Sequence, residues 1–215
     1  MPLPKPVSER RLENVALFYL QRFAASAETL RRVLRRRVER SARIHGTDRA
    51  EGNAMAEAVI ARMGAAGLVD DRAFALARAA KLHGRGASPR LIAAHLKARG
   101  IGAELVAEAM AGLAADLGVA GEGGADGGAG PGEGKGAGAD ADAGGAQPRR
   151  ALSDEVAFRA AVNLARRRRL GPFRPAWQRA AMRQKDLAAF ARAGFSYAIA
   201  KRLLAADGPE ALEGE

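Results

Sequence analysis

The chain has 215 residues, 48% hydrophobic and 27% charged, enough apolar content for one or two folded bodies with real cores. It contains no cysteine, which excludes disulfide frameworks, thiolate metal sites and cysteine nucleophiles. Met1–Pro6 is proline-broken rather than apolar and nowhere do eighteen apolar residues run together, so neither signal peptide nor membrane span is read, and a cytoplasmic location without membrane contact is expected.

The net charge is +11, and it is unevenly spread. Between residues 118 and 148, Glu122, Asp126, Glu133, Asp140 and Asp142 face only Lys135, a balance of −4, so the total of +11 leaves +15 on the rest. A body that basic points to a polyanionic partner, nucleic acid first; the plain alternative is excess arginine solvating helix faces. Alanine, leucine, arginine and glutamate dominate, and aromatics make up 5%, too little sheet-forming material for anything but an all-α fold.

In chain order, residues 1–10 read as a disordered tail. A first helix, starting near Ser8 or Arg11, carries Leu12, Val15, Ala16, Tyr19, Leu20 and Phe23 inward at three- and four-residue steps. Ser26 caps a second helix in which Leu30, Val33, Leu34 and Val38 face inward and Arg31, Arg32, Arg35, Arg36 and Arg40 form a basic stripe. Thr47 or Asp48 caps a third, with Met55, Val59, Ile60 and Met63 inward and Gly67 at its end. Asp70-Asp71 opens a fourth, with Phe74, Ala77, Ala80 and Leu82 inward. After Gly84-Arg85-Gly86, Ser88-Pro89 starts a fifth carrying Leu91, Ile92, His95 and Leu96, and Leu105, Val106, Ala109, Met110 and Leu113 make a sixth.

Thirteen glycines lie between Gly118 and Gln147, a composition that buries too little to offset its ordering entropy and reads as a flexible linker, with a reach of about 30 Å. Ser153 then caps a helix with Val156, Ala157, Ala160, Ala161 and Leu164, which Leu170-Gly171-Pro172 stops. A further helix from Pro175 to Ala193 carries Trp177, Ala180, Ala181, Leu187 and Phe190 inward, and Ser196 caps a last one with Tyr197, Ile199, Ala200, Leu203 and Leu204. The expected organisation is three tandem three-helix repeats, about nine helices in an elongated body. They span 11–67, 68–117 and 151–206, with the linker over 118–150 and an acidic tail over 207–215. An echo ties the copies together: Met63 with Gly67-Leu68, Leu96 with Gly100-Ile101, and Phe190 with Gly194-Phe195. In each, glycine provides a left-handed cap and the next apolar residue folds back.

No constellation of enzyme residues survives. Asp70-Asp71 reads as helix caps, because no third acid or histidine stands at ligand spacing. His45, His83 and His95 lack zinc spacing; His95 shares a buried stripe and His83 sits at a solvated turn. Gly134-Lys135 lacks the preceding glycine and the following serine or threonine of a phosphate loop. What remains is cationic surface. Beside the arginine stripe, Arg166, Arg167, Arg168, Arg169 and Arg174 form a second patch, and Arg85, Lys97, Arg99, Lys185, Arg192, Lys201 and Arg202 recur near the turns and glycine caps. These are candidates for phosphate or carboxylate contact. A helix-turn-helix-like transcriptional regulator, with Ser88–Ala98 as recognition helix, is the alternative, although Arg90, His95 and Lys97 are nearly all that helix offers a base edge.

Tyr19-Leu20-Gln21-Arg22-Phe23 with Ser26 and Leu30, Gly67-Leu68-Val69-Asp70-Asp71 with Phe74-Ala75, and Gly84 to Pro89 leading to Gly100-Ile101 resemble the RecX family. Arg167 to Arg174 and Lys185-Asp186-Leu187 through Arg192 to Tyr197 look like its proteobacterial branch. The resemblance spans residues 11 to 205 apart from the linker. It implies a non-enzymatic modulator without a cofactor, built from tandem three-helix repeats. Such a protein binds RecA recombinase filaments on single-stranded DNA, lies in the filament groove, and restrains strand exchange, ATP hydrolysis and coprotease activity in DNA repair and the SOS response. The chain itself is expected to be a monomer. The linker departs from the family pattern, and with it the third repeat is expected to be free to follow the filament.

Overall fold

The computed structural model describes residues 6–118 and 146–212, with side chains from Ser153 onward in the second stretch. Among the described residues there are nine α-helices and no strand: α1 (Glu9–Leu20), α2 (Ala27–His45), α3 (Arg49–Ala65), α4 (Asp71–Gly84), α5 (Pro89–Ala98), α6 (Ala103–Asp116), α7 (Ala146–Arg168), α8 (Ala176–Arg192) and α9 (Tyr197–Leu204). Short 3₁₀ turns follow at Gly171–Phe173 and Glu210–Leu212. The all-α expectation holds. The linker expected over 118–150 lies, between 119 and 145, outside the described residues, as do residues 1–5 and 213–215.

The ends differ from the sequence reading. Helix α1 starts at Glu9 after Ser8, the earlier of the two starts read, so order reaches into the expected 1–10 tail, where the Val7 amide donates to Ser41 Oγ at 2.9 Å. Helix α7 begins at Ala146 rather than after a Ser153 cap. The other caps stand where the sequence placed them. Amides of Thr29, Glu51, Leu91 and Ile199 donate to Ser26, Asp48, Ser88 and Ser196 respectively. Asp70 accepts from the amides of Arg72 and Ala73, while Asp71 reaches the Ala27 amide at the start of α2 (2.8 Å). Both carboxylates are therefore structural, as expected.

Contacts divide the chain into two units, Met1–Arg78 with Ala93–Ala109, and Ala79–Ile92 with Met110–Glu215. The partition cuts through residues 68–117, so that α4, α5 and α6 contribute to both. In the first unit, Leu12, Ala16, Leu30, Leu34, Val38, Ala56, Val59, Ile60, Met63 and Val69 form one core. In the second, Ala157, Phe158, Ala160, Ala161, Leu164, Ala165 and Leu170 pack with Phe190, Phe195, Ile199, Ala200 and Leu203.

The same joint occurs once in each unit. In the first, buried Ser26 donates from Oγ to the Arg99 carbonyl at 2.7 Å, and Gly100 lies against Glu28 so closely that a Cβ on it would fall 2.3 Å from Glu28 Cβ. In the second, a Cβ on Gly194 would fall 2.7 Å from Oγ of buried Ser88. In both, the serine-capped start of one middle helix receives the glycine-capped end of another. Both glycines are left-handed, with φ of 78° and 79°, so they satisfy a backbone and a packing demand together. Gly100→Ala should therefore lower stability by about 1–3 kcal/mol, read as a shifted urea midpoint. Gly102→Ala, where a Cβ meets nothing within 4 Å, should stay within about 0.5 kcal/mol.

The three echoed caps share one bonding pattern: Leu68, Ile101 and Phe195 amides donate back to Met63, Leu96 and Phe190 carbonyls at 2.9, 3.2 and 3.1 Å. Their places in the repeats differ. Gly67 ends a third helix, as Gly118 does, whereas Gly46, Gly100 and Gly194 end middle helices. At the first copy Leu68 stays exposed and Val69 is buried in its stead.

His83 corrects the expectation of a solvated turn. It is 4% exposed, with Nε2 3.0 Å from the Val156 carbonyl of α7. Burial first, and then Arg159, hold its pKa below the usual 6.5, against the opposing pull of the Val156 carbonyl. A depressed histidine pKa means that the unfolded chain takes up the proton first as pH falls. The His83 contribution should therefore be intact above about pH 6.5 and lost as the pH drops from there toward the folded-state pKa. The urea midpoint should be lower at pH 5.5 than at pH 7.5, and His83→Gln should flatten that slope, leaving the part due to His95, whose pKa is also lowered by burial and by Arg78.

Candidate partner-binding surface

Helix α2 carries seven arginines between residues 31 and 43, and the structure sorts them into two groups. Arg31 grips Glu57 of α3 with Nε and Nη2 at 2.7 and 3.0 Å and Glu28 with Nη1 at 2.7 Å. Arg32 donates to Glu28 (2.9 Å) and to the Ala98 carbonyl (3.1 Å), and Arg35 lies 3.5 Å from Glu57. Arg31 holds the carboxyls of Glu28 and Glu57 below their usual range, chiefly through these hydrogen bonds, and its own pKa is raised in return. These three arginines knit α2 to α3 and α5.

On the other side of the wheel, Arg36, Arg37 and Arg40 are exposed and make no ion pair or hydrogen bond among the described residues. With Arg43, Val33 and Ile44 they line an open trough of about 760 Å³. Among the described residues no carboxylate lines it. Arg37 and Arg43 were absent from the stripe read in the sequence. The 100° step per residue places both beside Arg36 and Arg40, and separates that set from Arg31 and Arg35.

The carboxyl-terminal patch also divides. Arg174 is committed internally, since Nε and Nη2 reach the two oxygens of Asp186 at 2.9 and 2.8 Å; Asp186 is 1% exposed and also accepts from the Gly171 amide at 2.8 Å. Arg202 stacks 3.9 Å from the Phe158 ring centroid and lies 3.4 Å from Glu155. Arg167 donates to the Arg85 carbonyl (3.2 Å), bringing those two expected residues together. Arg166 lies over the Phe173 ring. Arg168 and Arg169 are exposed at the end of α7, and Arg169 holds a left-handed φ of 51° where glycine usually closes such a cap. Lys97, Lys185, Arg192 and Lys201 are exposed and Arg99 is half-buried. The expected residues thus fall on several surfaces.

Exposed aromatics went unread in the sequence. Trp177, expected inward, is 80% exposed, because α8 buries the line of Asp186, Ala189 and Phe190 instead. Phe23 is exposed because α1 ends at Leu20 and the chain leaves its periodicity, its ring resting 5.2 Å from Tyr19. Phe18 is also exposed, with Arg22 stacked 4.2 Å above it. Among the described residues no group of three or more histidines, aspartates or glutamates could hold a metal ion, and no helix is long and apolar enough to cross a membrane.

The described residues thus form helical repeats joined through capped helix ends, with Arg36, Arg37 and Arg40 exposed on an open face of α2. The chain is 38% identical, over 94% of its length and 88% of the relative's, to the Regulatory protein RecX of Myxococcus xanthus (strain DK1622). Residues 70–110 match the second three-helix domain of RecX. The chain belongs to the RecX family. No solved structure matches it.

Proposed function

We propose that this chain restrains a RecA-type recombinase by binding its filament on single-stranded DNA, as the family relationship implies, and that it acts by binding rather than by catalysis. The observation that carries this reading is the unpaired set Arg36, Arg37 and Arg40 on an open face without carboxylates. A filament groove presents acidic protein surface and DNA phosphates together, and arginine serves both. The exposed cations Arg168, Arg169, Lys185, Arg192 and Lys201 add further contacts in the second unit. Arg174 and Arg202 serve mainly to hold that unit together. Contacts repeated along one filament let modest individual affinities suffice. By this account the chain works in the cytoplasm on DNA repair and the SOS response.

Co-sedimentation tests the reading. The chain should pellet saturably with the cognate recombinase assembled on poly-dT with a non-hydrolysed ATP analogue, and only weakly with bare poly-dT at 150 mM salt. Equal pelleting with bare DNA, or a footprint on one duplex sequence, would put a DNA-binding regulator in its place.

A further inference from the structure

Beside the arginine trough, α1 and the carboxyl-terminal half of α2 enclose a cleft of about 260 Å³. Val7, Leu12, Val15 and Ile44 supply its aliphatic lining, Asn14, Ser41 and His45 its polar part, and Arg37 and Arg40 line it as well. Arg11, also there, is tied back to the Pro6 carbonyl. Ile44 is 42% exposed although apolar. Among the described residues no acidic side chain lines the cleft.

The volume falls below the range of about 300–1,000 Å³ usual for small-molecule sites, so it fits one or two inserted side chains better than a whole metabolite. A nucleobase would have to stack on the His45 ring or on an arginine plane of the lining, and is the competing occupant that the dT12 probe below distinguishes. Four aliphatic side chains beside two arginines, with no acid among the described lining residues, are complementary to a peptide that inserts a leucine- or phenylalanine-like side chain and carries carboxylates on either side. We infer that this cleft docks an acidic peptide segment of a protein partner through one apolar anchor, with Arg37 and Arg40 holding the flanking carboxylates. The inference rests on the filament reading in one respect: it assigns the amino-terminal end of the binding face to protein contact and leaves DNA phosphates to other cations.

The test needs no recombinase, so its failure is separable from failure of that reading. Fluorescence anisotropy of the full-length chain is measured with three labelled probes: a twelve-residue Glu/Asp-rich peptide with two central leucines, the same peptide with serines in their place, and a dT12 oligonucleotide. The leucine peptide should bind at least tenfold more tightly than the serine peptide, and both Ile44→Ser and Arg40→Ala should weaken it at least fivefold, with dT12 affinity unchanged in Ile44→Ser. Ile44 is exposed enough that its replacement should preserve the helical circular dichroism. Equal binding of the two peptides, or displacement of the leucine peptide by dT12 with loss of dT12 affinity in Ile44→Ser, would overturn the inference.

Discussion

Replacing Arg36, Arg37 and Arg40 together with glutamate should weaken binding to the recombinase filament on the order of a hundredfold while leaving helix content and thermal midpoint nearly unchanged. All three side chains are exposed and make no ion pair or hydrogen bond among the described residues, so their loss removes no intramolecular contact. Three charged contacts at about 1 kcal/mol each amount to about 3 kcal/mol, or roughly two decades of affinity. The complementary replacement of Arg31, Arg32 and Arg35 should behave differently. Glutamates there would face Glu28 and Glu57, which those arginines now neutralise, and the first unit should lose stability before binding is tested. Titration of a labelled filament, with a denaturation curve for each variant, separates the two sets. Equal binding losses at equal stability would mean that the division of α2 has no functional meaning.

The second large effect is at Asp186. Its carboxylate is 1% exposed and joins the Gly171 amide, at the stop after α7, to the Nε–Nη2 edge of the Arg174 guanidinium. Asp186→Ala leaves an amide and a partly buried cation without a partner, and removing one member of such a pair costs about 3–5 kcal/mol. The urea midpoint should fall accordingly, and Asp186→Asn should recover part of the loss by keeping one acceptor. Arg174→Ala leaves the buried carboxylate uncompensated and should be comparably damaging. The double variant Arg174→Ala/Asp186→Ala should cost less than the two singles added together. A loss under about 1 kcal/mol for Asp186→Ala would show that the pair is not structurally important.

The sequence made the helices and most of their caps legible because both follow local rules: periodic apolar residues, and serine or aspartate before a helix. Ser26, Asp48, Ser88 and Ser196 were readable for that reason. Burial was less legible where alanine dominates. In α4 the expected inward pair Ala77 and Ala80 is exposed while Ala75 and Ala79 are buried, since a run of alanines gives several faces the same polarity. Trp177 failed for the same reason, its helix having two small-residue faces. The binding residues were readable only as a class. Arg36 and Arg31 look alike in sequence, and what separates them is Glu57, 26 residues further on in another helix. Arg174 matched the family pattern, yet its partner Asp186 decides that it holds the fold. His83 looked like part of a turn because the α7 backbone that covers it lies 73 residues away. Long-range pairing is the part that no local pattern announces.

The central claim, restraint of a recombinase filament through the free face of α2, is tested most directly by ATP hydrolysis. Single-strand-dependent hydrolysis by the cognate recombinase is followed while the chain is added at substoichiometric levels, beside the Arg36→Glu/Arg37→Glu/Arg40→Glu variant. Suppression by the native chain, with the variant requiring on the order of a hundredfold more protein for the same effect, is the predicted result. Unchanged hydrolysis across the titration, or equal suppression by the folded variant, would contradict it.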